Sequence, residues 1–246
     1  MAALPPNQGG RRGFTLVEML VVVVIIGILA SLITAVAMQA RRRARIAVIA
    51  LEISELDMAC KAFKARFGDY PPDGCDTTVT ARFVKKAFPR MTSGSAPSVT
   101  PATALVVWLK GVSADPTNPF GASPTSMIGP FFDFDTSRIS ANTYWPPGVA
   151  IDTTGTKAGY VYFRAENGGY AGKTWDTRGG AMTDGRITTN PPWMNPGSFQ
   201  IRACGLDGKW ATPWATSFGV GTDYKAEDYD DMTNFSNGTL EDSITP

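Results

Sequence analysis

The chain has 246 residues and a formal net charge of +1, from 23 lysines and arginines against 22 aspartates and glutamates. This even balance gives no electrostatic reason to expect a nucleic-acid partner or an acidic substrate. Histidine is absent, which removes imidazole from Ser-His-Asp and Cys-His catalysis and from the usual zinc sites. We therefore expect neither an enzyme nor a nucleic-acid-binding protein.

Residues 1–13 are predicted to form a short polar leader that ends at Gly13. After it, Met19 to Met38 contains no charged residue and no proline. At about 1.5 Å per helical residue, this run reaches about 30 Å, the thickness of the hydrocarbon core of a bilayer. A secretory signal peptide has its small-residue cleavage site after the apolar region, whereas Gly13 comes before it. The residues alone also fit an ordinary signal-anchor helix with one tolerated charge, Glu18, at its edge.

The segment from Gly13 to Leu32, GFTLVEMLVVVVIIGILASL, resembles the start of type IV prepilins and of the pseudopilins of type II secretion. The resemblance implies that a prepilin peptidase cleaves after Gly13 and methylates the new amino terminus at Phe14. It also implies that Glu18 pairs with the amino terminus of a neighbouring subunit during filament assembly.

The resemblance further implies a single-pass protein of the bacterial inner membrane, with its head in the periplasm, that assembles as a periplasmic filament. The expected partners are further copies of the chain in a helical homo-oligomer, other pseudopilins, the prepilin peptidase and the inner-membrane assembly platform. The charge bias opposes this orientation, because the arginines of segment 41–45 outnumber Arg11 and Arg12, and an excess of basic residues normally stays in the cytoplasm. We follow the motif, since the peptidase of this family reads it from the cytoplasmic face.

One long helix is predicted from residue 14 to residue 67, with a transmembrane part at about 17–38 and an amphipathic part at 45–67. In the amphipathic part, apolar residues recur at alternate spacings of three and four, as on one face of a helix. They are Ile46, Ile49, Ile53, Leu56, Cys60, Phe63 and Phe67. Gly68 and the following Pro-Pro pair are expected to end the helix. The stripe also predicts that Cys60 is a buried thiol.

Residues 68–246 are predicted to form one loop-rich head. Its strands are expected at 159–164 and 198–205, where β-forming residues are followed by turn signals. Two or three such strands, packed on the amphipathic part of the helix, predict an α+β, pilin-like fold with a small antiparallel sheet.

Between the long helix and the strands, two short helices are expected at 78–88 and 102–110. Residues 92–157 resemble an insertion without a recognisable motif, in which PFFDFD at 130–135 alternates as a short strand does. Cys75 and Cys204 lie in loop-like sequence and could either pair in an oxidising compartment or stay free.

The head ends in an acidic loop, residues 205–238. By composition it is either a solvated loop or a cation site, since calcium takes six to eight oxygen ligands. Its GLDG turn and DDMTNF segment resemble the C-terminal loop of major pseudopilins, which binds calcium. The resemblance implies that Asp207, Asp230 and Asp231 are side-chain ligands of a calcium ion.

These features favour a pseudopilin of a type II secretion-type pseudopilus, and GDYPPDG at 68–74 resembles the turn that follows the helix in major pseudopilins. A minor pilin of a type IV pilus, for adhesion or DNA uptake, is the nearest alternative. Such pilins often carry a paired C-terminal cysteine loop, which the single cysteine after Cys75 cannot supply. A more remote alternative is a membrane-anchored ligand-binding module that uses the head's tryptophans.

Overall fold

The computed structural model describes residues 13–121, 125–152, 159–175, 179–184, 193–219 and 224–244. Outside these ranges lie the predicted leader except Gly13, residues 122–124 and 153–157 of the predicted insertion, and residues 220–223 of the acidic loop. By its internal contacts the chain divides into two compact units, residues 1–43 and 44–246.

The first unit contains the apolar beginning of the long helix α1, which runs from Leu16 to Phe67. An 18-residue window of α1 has a mean hydropathy of 3.0, and none of it is buried. Of the helices in the described ranges, α1 is the one long and apolar enough to cross a membrane. The predicted transmembrane segment therefore lies in a continuous helix whose large apolar side chains are exposed. A patch of this kind marks a surface that lipid or protein covers.

In the second unit, the remainder of α1 presents one face to the core of the head. The predicted stripe forms that face, which confirms both the amphipathic pattern and the buried thiol. Its fully or almost fully buried members are Ile49, Ile53, Leu56, Cys60 and Phe63, and its edge members are Ile46 and Phe67. Burial raises the pKa of the Cys60 thiol well above its usual value. One acidic residue, Glu52, is also buried on this face, which the stripe did not predict.

Two short helices follow, close to their predicted positions: α2, Thr77–Ala87, and α3, Ala104–Leu109. The side chain of Asp76 caps α2 by accepting the N–H of Thr78 at 2.7 Å. Trp108 of α3 is fully buried, and its indole N–H donates to the carbonyl of Pro72 at 2.9 Å. This bond fixes the turn that ends α1 to the core.

The strands of the head are short. In chain order they are β1 Val112–Ser113, β2 Met127–Ile128, β3 Ile139–Ser140, β4 Thr143–Tyr144, β5 Val161–Arg164, β6 Thr174–Trp175, β7 Gly179–Gly180, β8 Thr183–Asp184, β9 Phe199–Ala203, β10 Ser217–Phe218 and β11 Met232–Thr233. A 3-10 helix at Thr136–Arg138 precedes β3, and a short helix α4, Leu240–Ile244, follows β11.

The central sheet is antiparallel and has the order β11–β9–β5. In its register Val161 lies opposite Arg202, and Met232 lies opposite Ala203. The two predicted strands are thus its middle and one edge, which confirms the α+β, pilin-like layout. Outside this sheet, β8 and β10 form a parallel pair.

Phe199, Ile201 and Ala203 alternate with polar residues along β9, and every residue of the strand is buried. Gln200 and Arg202, which alternate with these apolar residues, are both 0% exposed. Gln200 is satisfied there by backbone groups, donating from Nε2 to the carbonyls of Met182 and Met194 at 2.8 Å each. The sheet is covered on both sides because the segments after β5 fold back over it.

The predicted strand at 130–135 is wrong. The N–H groups of Phe131 and Phe132 both donate to the carbonyl of Leu109 at the end of α3, at 2.8 and 3.4 Å. The backbone therefore follows the end of a helix and pairs with no strand in the described ranges. The alternating phenylalanines arise because these side chains pack at the edge of the main core.

Candidate functional site

The N-terminal motif begins α1 with a capping box. The N–H and the hydroxyl of Thr15 both donate to Oε2 of Glu18 at 2.8 Å, and the N–H of Glu18 donates to the Thr15 hydroxyl at 3.2 Å. These reciprocal bonds satisfy groups that the start of a helix leaves without partners. Sequence reasoning assigned Glu18 to assembly and missed Thr15, although the Thr-x-x-Glu spacing indicates the box. Both groups of Thr15 donate to Oε2 of Glu18, and a carboxylate can accept hydrogen bonds on both of its oxygens.

Gly13 and Phe14 precede the helix and are exposed, Phe14 at 70%. A Cβ added to Gly13 would meet no atom of the described chain within 4 Å. Packing of the chain itself therefore does not require glycine at this position. The cleavage and methylation roles of the two residues stay predictions, and they concern residues that another protein can reach.

A buried ionic network joins α1 to the region predicted as an insertion. Glu52, 8% exposed, accepts from Nη1 of Arg138 at 3.0 Å and also from Nη2. The hydroxyls of Tyr144 and Tyr160 donate to the same carboxylate, the first at 2.7 Å. The network spreads one buried negative charge over four donors, which offsets the cost of desolvating it. The sequence held no signal for it, because the partners lie far apart in the chain.

The segment after β11 is also tied to α1, through Asn234. Its Nδ2 donates to Oδ1 of Asp57 on α1 at 3.2 Å and to the carbonyl of Phe199 at 3.3 Å. Its Oδ1 accepts the N–H of Ile201 at 3.0 Å. The C-terminal loop thus reaches both the helix and the central strand.

The three predicted calcium ligands lie around one turn at residues 205–207. Oδ2 of Asp230 accepts the N–H groups of Leu206 at 2.6 Å and of Asp207 at 3.1 Å. Oδ1 of Asp231 accepts the N–H of Gly205 at 3.1 Å. The carboxylate of Asp207 accepts the N–H of Lys209 at 2.8 Å. The structure therefore brings Asp230 and Asp231 to the turn, whereas Asp207 meets Asp230 through its backbone.

A buried arginine lies beside this turn. Nη2 of Arg202 is 3.7 Å from Oδ2 of Asp231, and both side chains are 0% exposed. Nη1 of Arg202 donates to the carbonyl of Ala215 at 3.0 Å, and its guanidinium lies 4.6 Å from the ring centre of Trp214. Burial raises the pKa of Asp231, against the opposing effect of Arg202. A positively charged side chain of β9 therefore lies beside the acidic loop.

The fit of these groups to a calcium ion depends on how many of their carboxylate oxygens are free of hydrogen bonds. Oδ2 of Asp231 and Oδ1 of Asp228 are buried without a hydrogen-bond partner among the described residues. Two such oxygens fall short of the six to eight that calcium takes. Within the ranges described above, no group of three or more Asp, Glu or Cys side chains is placed to hold a metal. These carboxylates alone do not complete a calcium site, so backbone carbonyls would have to supply the other ligands, and calcium binding stays a prediction from the resemblance.

The three cysteines are free. Cys60 and Cys204 are fully buried, and Cys75 is partly buried. Burial raises the pKa of Cys75 to about 12. The pairing of Cys75 with Cys204, which the sequence left open, does not occur in the structure.

Comparison with known proteins identifies the N-terminal segment. Residues 9–34 match the prokaryotic N-terminal methylation motif. Neither the curated proteins nor the solved structures give a match to the chain. The motif covers the capping box and most of the apolar part of α1, and the C-terminal head, considered by itself, has an α+β, pilin-like layout. The N-terminal segment is therefore similar to that of type IV prepilin-like proteins.

Proposed function

We propose that this chain is a pseudopilin subunit, processed by a prepilin peptidase and assembled through its N-terminal helix into a type II secretion-type pseudopilus. The observation that carries the proposal is the combination of the methylation motif at 9–34 with the exposed apolar surface of α1. A helix with large apolar side chains all round needs lipid before assembly and neighbouring helices after it. An inner-membrane location with a periplasmic head belongs to the same proposal.

The geometry at the start of α1 is compatible with the proposed roles. Phe14 is exposed and lies outside the helix, so cleavage after Gly13 would leave a free amine one residue before the cap. Glu18 lies in the first turn of α1, where a carboxylate also interacts favourably with the helix dipole. A neighbouring subunit's amine would then be a further donor to a carboxylate that already orders the helix start.

Two features favour a secretion pseudopilus over a surface pilus. Cys75 and Cys204 are free, so the cysteine loop common in surface pilins has no counterpart between them. The C-terminal segment is instead held by Asp230, Asp231 and Asn234. A minor type IV pilin remains the alternative that a genetic experiment separates from this proposal.

The first experiment is mass spectrometry of the protein purified from its native membrane. We expect a chain that starts at Phe14 and carries a methylated amine. A chain that starts at Met1, or at a site after the apolar run, would contradict the prepilin assignment.

The second experiment is deletion of the gene in its own host. Loss of exported proteins from the culture medium, with surface filaments intact, would support the secretion pseudopilus. Loss of surface filaments, adhesion or DNA uptake with secretion intact would instead support the pilus alternative.

A further inference from the structure

A second buried ionic cluster lies away from the N-terminal motif and the acidic loop. Nζ of Lys173 is 2.8 Å from Oδ2 of Asp73 and 2.8 Å from Oε1 of Glu166. The side chains of Lys173 and Asp73 are only 6% and 2% exposed, and that of Glu166 is 23% exposed. An amine therefore lies between two carboxylates at hydrogen-bond distance in a largely dry environment.

The carboxyl group of Asp73 is held in a fixed orientation by backbone donors. Its Oδ1 accepts the N–H of Cys75 at 3.1 Å, and its Oδ2 accepts the N–H of Arg164 at 2.9 Å. Backbone N–H groups placed in this way stabilise negative charge that develops on carboxyl oxygens during attack at the carbon.

Glu166 is also held, because it begins a tight turn. Its N–H and carbonyl exchange hydrogen bonds with Gly169, at 2.7 and 3.0 Å. Glu166 and Lys173 both line a cavity of about 580 Å³. A small product such as water can therefore leave the cluster without unfolding of the head.

We propose that Lys173 and Asp73 form an intramolecular isopeptide bond, with Glu166 as the group that carries the proton. Three elements needed for this condensation are present: a buried amine, a fixed carboxyl group in contact with it, and a second carboxylate on the amine. Holding the reacting groups in contact replaces an encounter in solution by an intramolecular step with a high effective concentration.

The step balances without any co-reactant. Burial lowers the pKa of Lys173, but Asp73 and Glu166 outweigh this effect and raise it, so the cluster begins as an ion pair. Transfer of one proton from Lys173 to Asp73 gives a neutral amine and a carboxylic acid, the pair that can condense, and the fixed contact holds this minor form in position to react.

The nitrogen then attacks Cγ of Asp73, and the Nζ–Cγ bond forms. Glu166 accepts one of the two remaining amine protons and passes it to the departing hydroxyl, while the amide keeps the other. The bond from Cγ to that oxygen breaks, one water leaves, and nothing is oxidised or reduced.

The bond would join the turn after α1 to the segment after β5, across 100 residues of sequence. The cysteines of this head are free, so the isopeptide bond would supply the covalent closure that a disulfide supplies elsewhere. A subunit that is pulled along a filament would gain resistance to separation of α1 from the sheet.

The test is the mass of the full chain, purified in detergent. We expect the intact mass to be lower than calculated by one water. Trypsin should fail to cut after Lys173, and one branched peptide should join Lys173 to the Asp73 segment. The full calculated mass, with normal cleavage after Lys173, would overturn the proposal.

Two other products are distinguished by the same digest. Asp73 precedes Gly74, and such a pair can lose water by forming a succinimide. Water loss confined to the Asp73 peptide, sensitive to hydroxylamine and with normal cleavage after Lys173, would overturn the proposal. A branched peptide that joins Lys173 to Glu166 would overturn the assignment of the two carboxylates.

Variants then assign the roles. Lys173→Arg keeps the charge but should show the full calculated mass, and Glu166→Gln should do so or close far more slowly. Glu55→Gln, on the exposed side of α1, is the matched control and should lose one water as the natural chain does. An unchanged extent and rate of closure in Glu166→Gln would overturn its role as proton carrier.

Discussion

Arg138 binds the carboxylate of Glu52, which lies 86 residues earlier in the chain, and its Nη1 donates to Oε2 at 3.0 Å. The same arginine donates to the carbonyl of Trp145 at 3.0 Å, and its guanidinium lies 4.5 Å from the ring centre of Tyr144. The region predicted as an insertion is thus anchored on α1 by a buried charge. An apolar stripe alone would allow the helix to pack on the head in several orientations about its own axis. The Glu52–Arg138 ion pair allows only one of them.

Removing the carboxylate should destabilise the head. Glu52→Ala leaves Arg138 and two tyrosine hydroxyls without their acceptor, which costs roughly 3 kcal/mol for a buried pair. For a chain of this size, that corresponds to a fall in melting temperature of roughly 6–12 °C. The measurement is thermal unfolding of the chain in detergent, followed by circular dichroism.

The matched control is Glu55→Ala, three residues further along α1 on its exposed side. Its effect should stay below about 0.5 kcal/mol, as for most surface substitutions. Equal melting temperatures for the two variants would contradict a stabilising role for the Glu52 network.

The two roles proposed for Glu18 can be separated at Thr15. Thr15→Ala removes the capping box and should cost about 1 kcal/mol of helix stability, but it leaves the Glu18 carboxylate for a neighbour. Glu18→Ala removes both. We expect Thr15→Ala to be processed and to assemble into filaments, and Glu18→Ala to insert in the membrane but not to assemble. The measurement is the yield of sheared filaments; its loss in both variants would indicate that the cap, and not the charge, governs assembly.

The buried Asp231 should make stability fall as pH rises above the usual range of a carboxyl group. Burial, with a further contribution from Asp228, raises its pKa, so the folded chain retains a proton that the unfolded chain has already lost. Between the usual value of 3.8 and the raised value, the folded state binds more protons, and stability decreases with increasing pH. The melting temperature of the natural chain, compared with that of Asp231→Asn at the same pH, should therefore fall as pH increases from about 4.

Asp76 is the control of opposite sign. The hydroxyl and N–H of Thr78 lower its pKa, so its contribution is present above the usual value of 3.8 and lost as pH falls. The melting temperature of the natural chain, compared with that of Asp76→Ala at the same pH, should rise as pH increases to the usual carboxyl value of 3.8. The same slope for both pairs of proteins would contradict the assignments.

Calcium binding by the acidic loop has a direct thermal test. An ion that binds only the folded chain stabilises it by about 2.7 kcal/mol at 100 times its dissociation constant. If calcium binds, the melting temperature is higher in calcium than in chelator, and Asp207→Asn, an exposed position, removes that difference. Asp133→Asn, exposed and outside the loop, should leave it unchanged. Equal melting temperatures in calcium and in chelator would contradict calcium binding by the acidic loop.

The sequence by itself determined the long N-terminal helix of this protein. The apolar run, the Thr-x-x-Glu spacing and the stripe from Ile49 to Phe63 act over one or two helical turns, so local periodicity is enough to predict them. The two main strands were also predictable, because β-forming residues concentrate in β5 and β9. The false strand at 130–135 shows the limit, since alternating phenylalanines also suit an irregular segment that packs on a core.

Only the tertiary structure decided which polar groups meet. Three buried pairs join residues that are far apart in sequence: Glu52 with Arg138, Lys173 with Asp73, and Arg202 with Asp231. A local sequence pattern would place these polar side chains in solvent, or would not say which residue is the partner. Burying such charges is favourable only when a partner is brought within hydrogen-bond or ion-pair distance. That distance is set by how the segments after α1 fold over both faces of the sheet, and no periodicity along the chain encodes it.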